Sequence, residues 1–488
     1  MNQEGLDTSI KLNTVWMLFV LALALLLQNS WVEGMFFDGH LYAAFGKNAV
    51  EKGAWLVPHL MDSAYGEFSQ HPPFIFILEG LFFKVFGIHE VTARIFVSLF
   101  ALLTMFFVLK KTEKNESKVM ALFAITFFIL IPPLLKKSRF PNMDIPLMMF
   151  TFGALYHYYR GQLKHKYKDW IACGLFWGGA LLTKGAMGML VPAGIGFHIL
   201  FSKGWKNLLK PGFWVAFTLG LLTFSLWPLS LKLSGKYFIF EEYLGYVFGL
   251  GKGEYATGFH SPFYTYPLFL IKQTPHILIP FLYGLYRWLK KKEASNFIVF
   301  SYASFLGMLT LLSLSSVKLS NYLLSLYPFY AICAAFGAYP LLEKHLSKFR
   351  KFITGLALLA PLVLLIFPLT NTSKRDQGLY QSLEVLKSSK IETKISKWYV
   401  VDNVYPFWNV ANWVGWKGQG NVWAIDQNKF KEMLVSSEEN QAWLIPIGYF
   451  DSLENKKSFQ KLYESKKENI LILIKKSLIQ DKALVERR

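Results

Sequence analysis

The chain has 488 residues, of which 53% are hydrophobic, 17% aromatic and 17% charged. Soluble globular chains carry about a quarter charged residues, so this balance excludes a single water-soluble core. A formal charge of +20 would suggest nucleic acid in a soluble protein. Here the Lys and Arg residues sit in short clusters between apolar runs, a distribution that reports membrane topology and excludes nucleic acid as the partner.

In chain order, the run Val15 to Leu27 has only Lys11 as a basic flank and no small-residue cleavage site before Trp31, so it reads as a retained first helix rather than a signal peptide. Apolar runs of roughly 20 residues, enough to cross a bilayer as a helix, then recur. The expected spans are Asn13–Ser30, Val91–Val108, Val119–Leu135, Ile145–Tyr159, Trp170–Thr183 and Ala186–Phe201, followed by Gly212–Leu231, Pro262–Leu289, Phe297–Leu314, Tyr322–Leu342 and Phe352–Leu369. These make about eleven by apolar length. His71–Phe86 is apolar too, but it is short, opens with Pro72–Pro73 and stops at Gly87, so it is expected to lie along the interface.

Charge tests this arrangement, because cytoplasmic loops carry the excess of Lys and Arg. With the N-terminus inside, the inner loops hold Lys110/Lys111/Lys114/Lys118, Arg160/Lys164/Lys166/Lys168, Lys203/Lys206/Lys210, Arg287/Lys290/Lys291/Lys292 and Lys344/Lys348/Arg350/Lys351. If His71–Phe86 crossed as well, all of these clusters would move outside. The outer face then receives Trp31–Glu90, Lys136–Asp144, Lys184, Lys232–Ser261, Lys318 and the tail. The expected fold class is an all-α polytopic membrane domain over residues 1–370 with a small extramembrane α/β domain over residues 371–488.

In the tail, the apolar stretches Trp398–Val401, Trp443–Ile447 and Ile470–Ile474 read as buried strands, and Gln427–Leu434 and Ser458–Lys467 as helices. Six tryptophans gather there (Trp398, Trp408, Trp413, Trp416, Trp423 and Trp443), suited to packing and interfacial anchoring or to stacking on sugars. Cys173 and Cys333 both lie in apolar stretches, which leaves no disulfide framework and no Cys-based zinc site.

Ionisable residues at membrane depth are costly, and on this topology they collect at the outer ends of helices. Asp38 follows the first span in Phe36–Phe37–Asp38–Gly39–His40–Leu41–Tyr42. It suits either a helix N-cap or a catalytic carboxylate. Lys136–Lys137–Ser138–Arg139 is the one basic cluster on the outer side, and Asp144 shortly after it again opens a helix. Three cations at that depth suit an anion at the headgroup level; lipid anchoring with another N-cap is the alternative. Lys184 in Leu182–Thr183–Lys184–Gly185 and Lys318 in Ser316–Val317–Lys318–Leu319–Ser320–Asn321–Tyr322 offer ammonium groups that could hold a phosphate or snorkel to the interface. His71 precedes the double proline. No spacing among His40, His59, His71, His260 and Asp62 forms a metal motif, so no cofactor is expected to be required, and a divalent metal stays an alternative without a motif behind it.

Together these segments resemble the membrane glycosyltransferases that use polyprenyl-phosphate sugars, including the aminoarabinose lipid A transferases and the protein O-mannosyltransferases. The resemblance runs from about Trp31 to Pro328 and rests on the order of its pieces: Asp38 with Tyr42, Gly53–Ala54–Trp55–Leu56–Val57–Pro58, His71–Pro72–Pro73, Phe86–Gly87 then Ala93–Arg94, Asn142–Met143–Asp144, Leu182–Thr183–Lys184–Gly185, Pro262–Phe263–Tyr264–Thr265–Tyr266, and Lys318 with Tyr322 and Pro328. It implies the GT-C fold, with Asp38 and Asp144 as the catalytic acids. Tyr42, His71, Lys136, Lys137, Arg139, Lys184, Lys318 and Tyr322 then fall at or near the donor phosphate. It implies a polyprenyl-phosphate-linked sugar as donor, surrounding membrane lipids, and an envelope acceptor such as lipid A or a related glycolipid, with protein O-mannosylation as the alternative. It also implies a bacterial inner-membrane protein whose site and C-terminal domain are periplasmic. From a different class, a lipid or glycan transporter or flippase would also fit many spans, but the charges gather on one face and no repeat is detectable. Three departures stand out: Gly39 replaces a second acid, His71 stands in place of a lysine, and Leu41 in place of an arginine.

Overall fold

In a computed structural model, the described residues are 12–28, 30–31, 34–35, 37–164, 166–252, 261–367, 395–402, 407–417, 420–435, 440–453, 456–465 and 469–476. Helices α1 (Leu12–Leu27), α2 (Phe37–Lys52), α3 (Phe74–Phe86), α4 (Glu90–Asn115), α5 (Lys118–Ile129), α6 (Pro132–Lys137), α7 (Asp144–Lys164) and α8 (Tyr167–Lys184) come first. Then follow α9 (Leu190–Ser202), α10 (Pro211–Leu233), α11 (Phe238–Lys252), α12 (Thr265–Gln273), α13 (Pro275–Tyr286), α14 (Asn296–Leu314), α15 (Tyr327–Glu343) and α16 (Leu346–Ile366).

Their boundaries have local causes. Ser117 and Ser295 accept the Met120 and Ile298 N–H groups and cap α5 and α14. Pro stands in the opening turn of α6, α10, α13 and α15, where the missing N–H costs no hydrogen bond.

Among the described residues, six helical stretches are long and apolar enough to cross a membrane. The number is seven if Thr265–Gln273 and Pro275–Lys291, bent by 115°, count as one. The expected eleven are not reproduced by length and composition. Thr14–Leu27 and Lys118–Ile129 are apolar but short, and the two spans expected around residues 170–183 and 186–201 fall in one helical stretch, Tyr167–Ser202. Helix α3, 13 residues long, is too short to cross, in keeping with the interfacial expectation.

The chain divides into two compact units: residues 1–30, 69–75 and 91–370, and residues 31–68, 76–90 and 371–488. The expected boundary at residue 370 lies outside the described residues. In the first unit helices pack mainly in sequence-local pairs, α7 on α8 and α8 on α10, with α9 on α14 and α13 on α15 from further apart. The small residues Gly174, Gly178 and Gly220 let α8 and α10 approach closely.

The second unit contains a five-stranded mixed sheet in the order β2-β1-β3-β5-β4. Its strands are β1 (Lys397–Val401), β2 (Asn421–Ile425), β3 (Gln441–Ile445), β4 (Phe459–Ser465) and β5 (Ile470–Lys475), with α17 (Phe407–Lys417) and α18 (Gln427–Val435) between them. β1 pairs in parallel with β2 and β3, while β5 runs antiparallel to β3 and β4. The α/β character and the strands expected around Trp398, Trp443 and Ile470 are present, as is the helix from Gln427. The helix expected over Ser458–Lys467 is corrected: Phe459–Ser465 is a strand, because hydrogen bonding to β5 and burial of Phe459 outweigh the local helical pattern. Residues 466 and 467 lie outside the described residues.

Tyr399, Val401, Trp443, Ile445, Leu471 and Leu473 fill one face of the sheet against Phe430 of α18. Trp398, Trp413, Trp416 and Trp443 are buried, so packing accounts for four of the six tail tryptophans. Trp408 is 42% exposed and stacks on Tyr65 with ring centroids 4.5 Å apart. Helix α17 lies on α2, and Gly415 meets Leu60 so closely that any β-carbon there would overlap it.

Glu79 of α3 is buried beneath Gly46 of α2, whose missing side chain leaves room for it. Its Oε1 has no hydrogen-bond partner among the described residues, and burial raises its pKa from 4.5 to about 8. The folded state therefore binds this proton more tightly than the unfolded chain. The stabilisation is complete below pH 4.5 and is lost as pH rises towards 8, by up to about 1.4 kcal/mol per pH unit. Glu79→Gln should flatten that loss; thermal unfolding of the two proteins at pH 6 and pH 9 measures it.

Candidate active site

The first unit brings together side chains from four separated segments. Asp144 stands at the start of α7, a usual place for a capping carboxylate, but the cap is Asn142. The Asn142 Oδ1 accepts the Ile145 N–H at 3.0 Å, while its amide donates to the carbonyls of Lys137 at 2.6 Å and Phe140 at 2.8 Å. The capping alternative weighed for Asp144 is thus taken by its neighbour.

The Asp144 carboxylate, 5% exposed, turns instead into the protein. Its Oδ1 lies 2.7 Å from Lys184 Nζ and its Oδ2 accepts from Asn321 Nδ2 at 2.7 Å. Lys184 ends α8, and Gly185 follows with φ of +53°, where a β-carbon would overlap the Tyr243 hydroxyl. That turn is reserved for glycine by conformation and by space. The Lys184 ammonium also lies over the Tyr322 ring, 4.8 Å from its centroid. Asn321 and Tyr322 belong to a 3₁₀ turn, Ser320–Leu326, that leads into α15. Tyr266 of α12 is fully buried within electrostatic reach of Asp144 and Tyr322.

His71 is half-buried in the loop before α3. Burial, and then the charge of Lys184, lower its pKa to about 3. It is therefore neutral at physiological pH and contributes hydrogen bonding rather than charge.

The other candidates are more dispersed. Lys318, 6% exposed, gives its ammonium to the carbonyls of Ser261 at 2.8 Å and Ser315 at 2.5 Å. Burial lowers its pKa. Arg139 is buried and donates from Nε to Leu135 O at 3.0 Å and from a terminal nitrogen to Gln28 O at 3.4 Å. Burial and then Arg94 lower its pKa to about 10. Lys137 lies over the Phe140 ring at 5.3 Å, and Lys136 is exposed.

In the second unit, Asp38 lies half-buried in the first turn of α2. There the helix N-terminus favours a carboxylate. The Tyr42 ring, one turn on, lies 5.5 Å from that of Phe76. Phe36 and His260 lie outside the described residues. Among the described residues, no three His, Cys, Asp or Glu side chains gather to hold a metal ion.

Asn321 was not singled out from the sequence, although it stands beside Tyr322. Nothing local marks an amide as the partner of an acid 177 positions away. Asn142, two residues before Asp144, carried a readable capping signal.

Residues 70–227 match the dolichyl-phosphate-mannose-protein mannosyltransferase family, PMT_2. Two Aquifex aeolicus (strain VF5) proteins of uncharacterised function are 27% identical over 299 residues and 28% identical over 293 residues. The matches cover 60% and 59% of this chain but only 57% and 64% of those proteins. Among solved structures, ArnT from Cupriavidus metallidurans bound to undecaprenyl phosphate superposes with a TM-score of 0.72 at 13% identity, covering 94% of this chain and 96% of ArnT. Apo ArnT gives a TM-score of 0.69 at 14% identity over 95% and 98% of the two chains. The archaeal oligosaccharyltransferase AglB from Archaeoglobus fulgidus, in complex with an inhibitory peptide and a dolichol-phosphate, gives 0.51 at 14% identity over 83% of this chain and 64% of AglB.

Asn321→Ala leaves one oxygen of a buried carboxylate without its donor, a loss of about 1–3 kcal/mol. It should lower the Tm of the purified chain more than Asn321→Asp in acid, where protonation lets two carboxyl groups share a hydrogen bond. In fold the chain is thus similar to ArnT along nearly its whole length, and its residues 70–227 form the segment that matches the PMT_2 family.

Proposed function

We propose that the chain transfers a sugar from a polyprenyl-phosphate donor to a hydroxyl-bearing envelope acceptor, lipid A or a related glycolipid, at the outer face of the bacterial inner membrane. The observation that carries this reading is the Asp144–Lys184 pair, held by Asn321 and stacked on Tyr322 at the meeting of three helix ends. The undecaprenyl phosphate of the ArnT complex and the dolichol-phosphate of the AglB complex support a lipid-phosphate donor.

In this reaction the acceptor oxygen attacks the anomeric carbon, the bond from that carbon to the phosphate oxygen breaks, and polyprenyl phosphate leaves with the bonding pair. Asp38 accepts the acceptor's proton as general base. Lys184 supplies positive charge to the leaving phosphate, with neutral His71 and the Tyr322 hydroxyl as further donors. Asp144 has both oxygens engaged, so its part is to fix the ammonium rather than to take a proton. Lys136, Lys137, Arg139 and Lys318 stabilise the headgroup region and its loops. Direct displacement inverts the anomeric centre.

A second reading, transfer to protein hydroxyls, draws on the family matched by residues 70–227. The donor chemistry is the same in both.

Asp38→Asn should lower transfer from a polyprenyl-phosphate sugar by about 10²-fold or more, at unchanged membrane levels; wild-type transfer would refute its role as base. Lys184→Met should weaken donor use more than Lys318→Met. Mass spectra of lipid A and of glycoproteins from a deletion strain separate the acceptors: a lost lipid A substituent is expected, and unchanged lipid A with altered glycoproteins favours the second reading.

A further inference from the structure

Within the second compact unit, the segment that carries Asp38 is tied to the C-terminal sheet domain through one buried carboxylate. Glu90, 8% exposed, accepts the Gly34 N–H on Oε2 at 2.7 Å, and its Oε1 lies 2.8 Å from Lys417 Nζ. Gly34 has φ of +102°, a conformation that side chains rarely adopt. His40, two residues beyond Asp38, is buried in the field of Glu90, and its Nε2 accepts the Met35 N–H at 3.4 Å. One flank of Asp38 is thus bonded to this carboxylate and the other lies in its field. The counter-ion of that carboxylate comes from the last residue of α17, in the tail. A second tie runs the opposite way, from Lys47 Nζ on α2 to the Trp416 carbonyl at 3.0 Å.

We propose that Glu90 and Lys417 are positioning residues, through which the C-terminal sheet domain holds the start of α2, and Asp38 with it, in working orientation. The proposal rests on the reading of Asp38 as the base and gives the tail a part in the reaction without contact to substrate. A buried carboxylate deprived of its counter-ion is strongly unfavourable. Without Lys417, Glu90 must take a proton or turn to water, and either response disturbs its hold on Gly34. While it stays ionised, its uncompensated charge disfavours ionisation of other acids on the same segment.

The test uses the full chain in lipid nanodiscs with a polyprenyl-phosphate sugar. Lys417→Met should lower kcat by about 10- to 100-fold, leave the donor KM within about twofold, and move the acid limb of the pH–rate profile upward. Lys417→Arg should restore most of the rate. Lys417→Met with Glu90→Gln should recover part of it, because no charge is then stranded. Hydrogen exchange over residues 34–52 should rise in Lys417→Met and not in Lys429→Met, which breaks an exposed tail ion pair with Glu432. Wild-type kcat, pH profile and exchange in Lys417→Met would overturn the proposal. Activity retained by Asp38→Asn would overturn the base assignment instead, and exchange over residues 34–52 then decides the Glu90–Lys417 tie on its own.

Discussion

The Asp144 carboxylate, gripped by Lys184 on one oxygen and Asn321 on the other, is the interaction on which the first unit's site depends. It ties the start of α7, the end of α8 and the turn before α15, three helix ends far apart in sequence. A buried ion pair is weak evidence for net stability, because desolvation offsets most of the Coulomb attraction. Its value here is geometric. It fixes an ammonium over Tyr322 and near His71, in a place where a lone lysine would otherwise extend towards water.

The same pair explains why neighbouring residues are what they are. Asn142 takes the helix cap and so releases Asp144 from that role. Gly185 makes the turn that ends α8 directly after Lys184. His71 stays neutral because it is desolvated beside a fixed positive charge. Where relatives by resemblance carry a lysine before the double proline, a second cation would repel Lys184; the histidine avoids that repulsion and keeps a hydrogen-bonding nitrogen.

Much of this was legible in the sequence. Apolar length and the charge clusters gave a polytopic helical domain, and short continuous apolar stretches gave three of the five described tail strands. The order of Asp38, His71–Pro72–Pro73, Asp144, Lys184 and Tyr322 carried the resemblance to membrane glycosyltransferases, and the likeness of fold to ArnT agrees with it. What stayed hidden depends on long-range partners. Residue 321 is a plain amide until Asp144 is placed against it, and Glu90 reads as an ordinary acidic start to a helix until Lys417 arrives. β4 reads as a helix because its partner strand, not its own pattern, sets its conformation. Length and composition alone count six or seven spans among the described residues rather than about eleven, in part because they do not say where two short helices become one long one.

Among the described residues, two buried acid–lysine pairs, one in each unit, are each flanked by a candidate for the chemistry. The central claim is that the clamped Lys184 receives the donor phosphate. A structure of the chain with a polyprenyl phosphate bound tests it most directly. The phosphate should lie within hydrogen-bond distance of Lys184 Nζ, with Asp144 and Asn321 still in contact. A phosphate seated elsewhere, with the Asp144–Lys184 pair closed and untouched, would contradict the account.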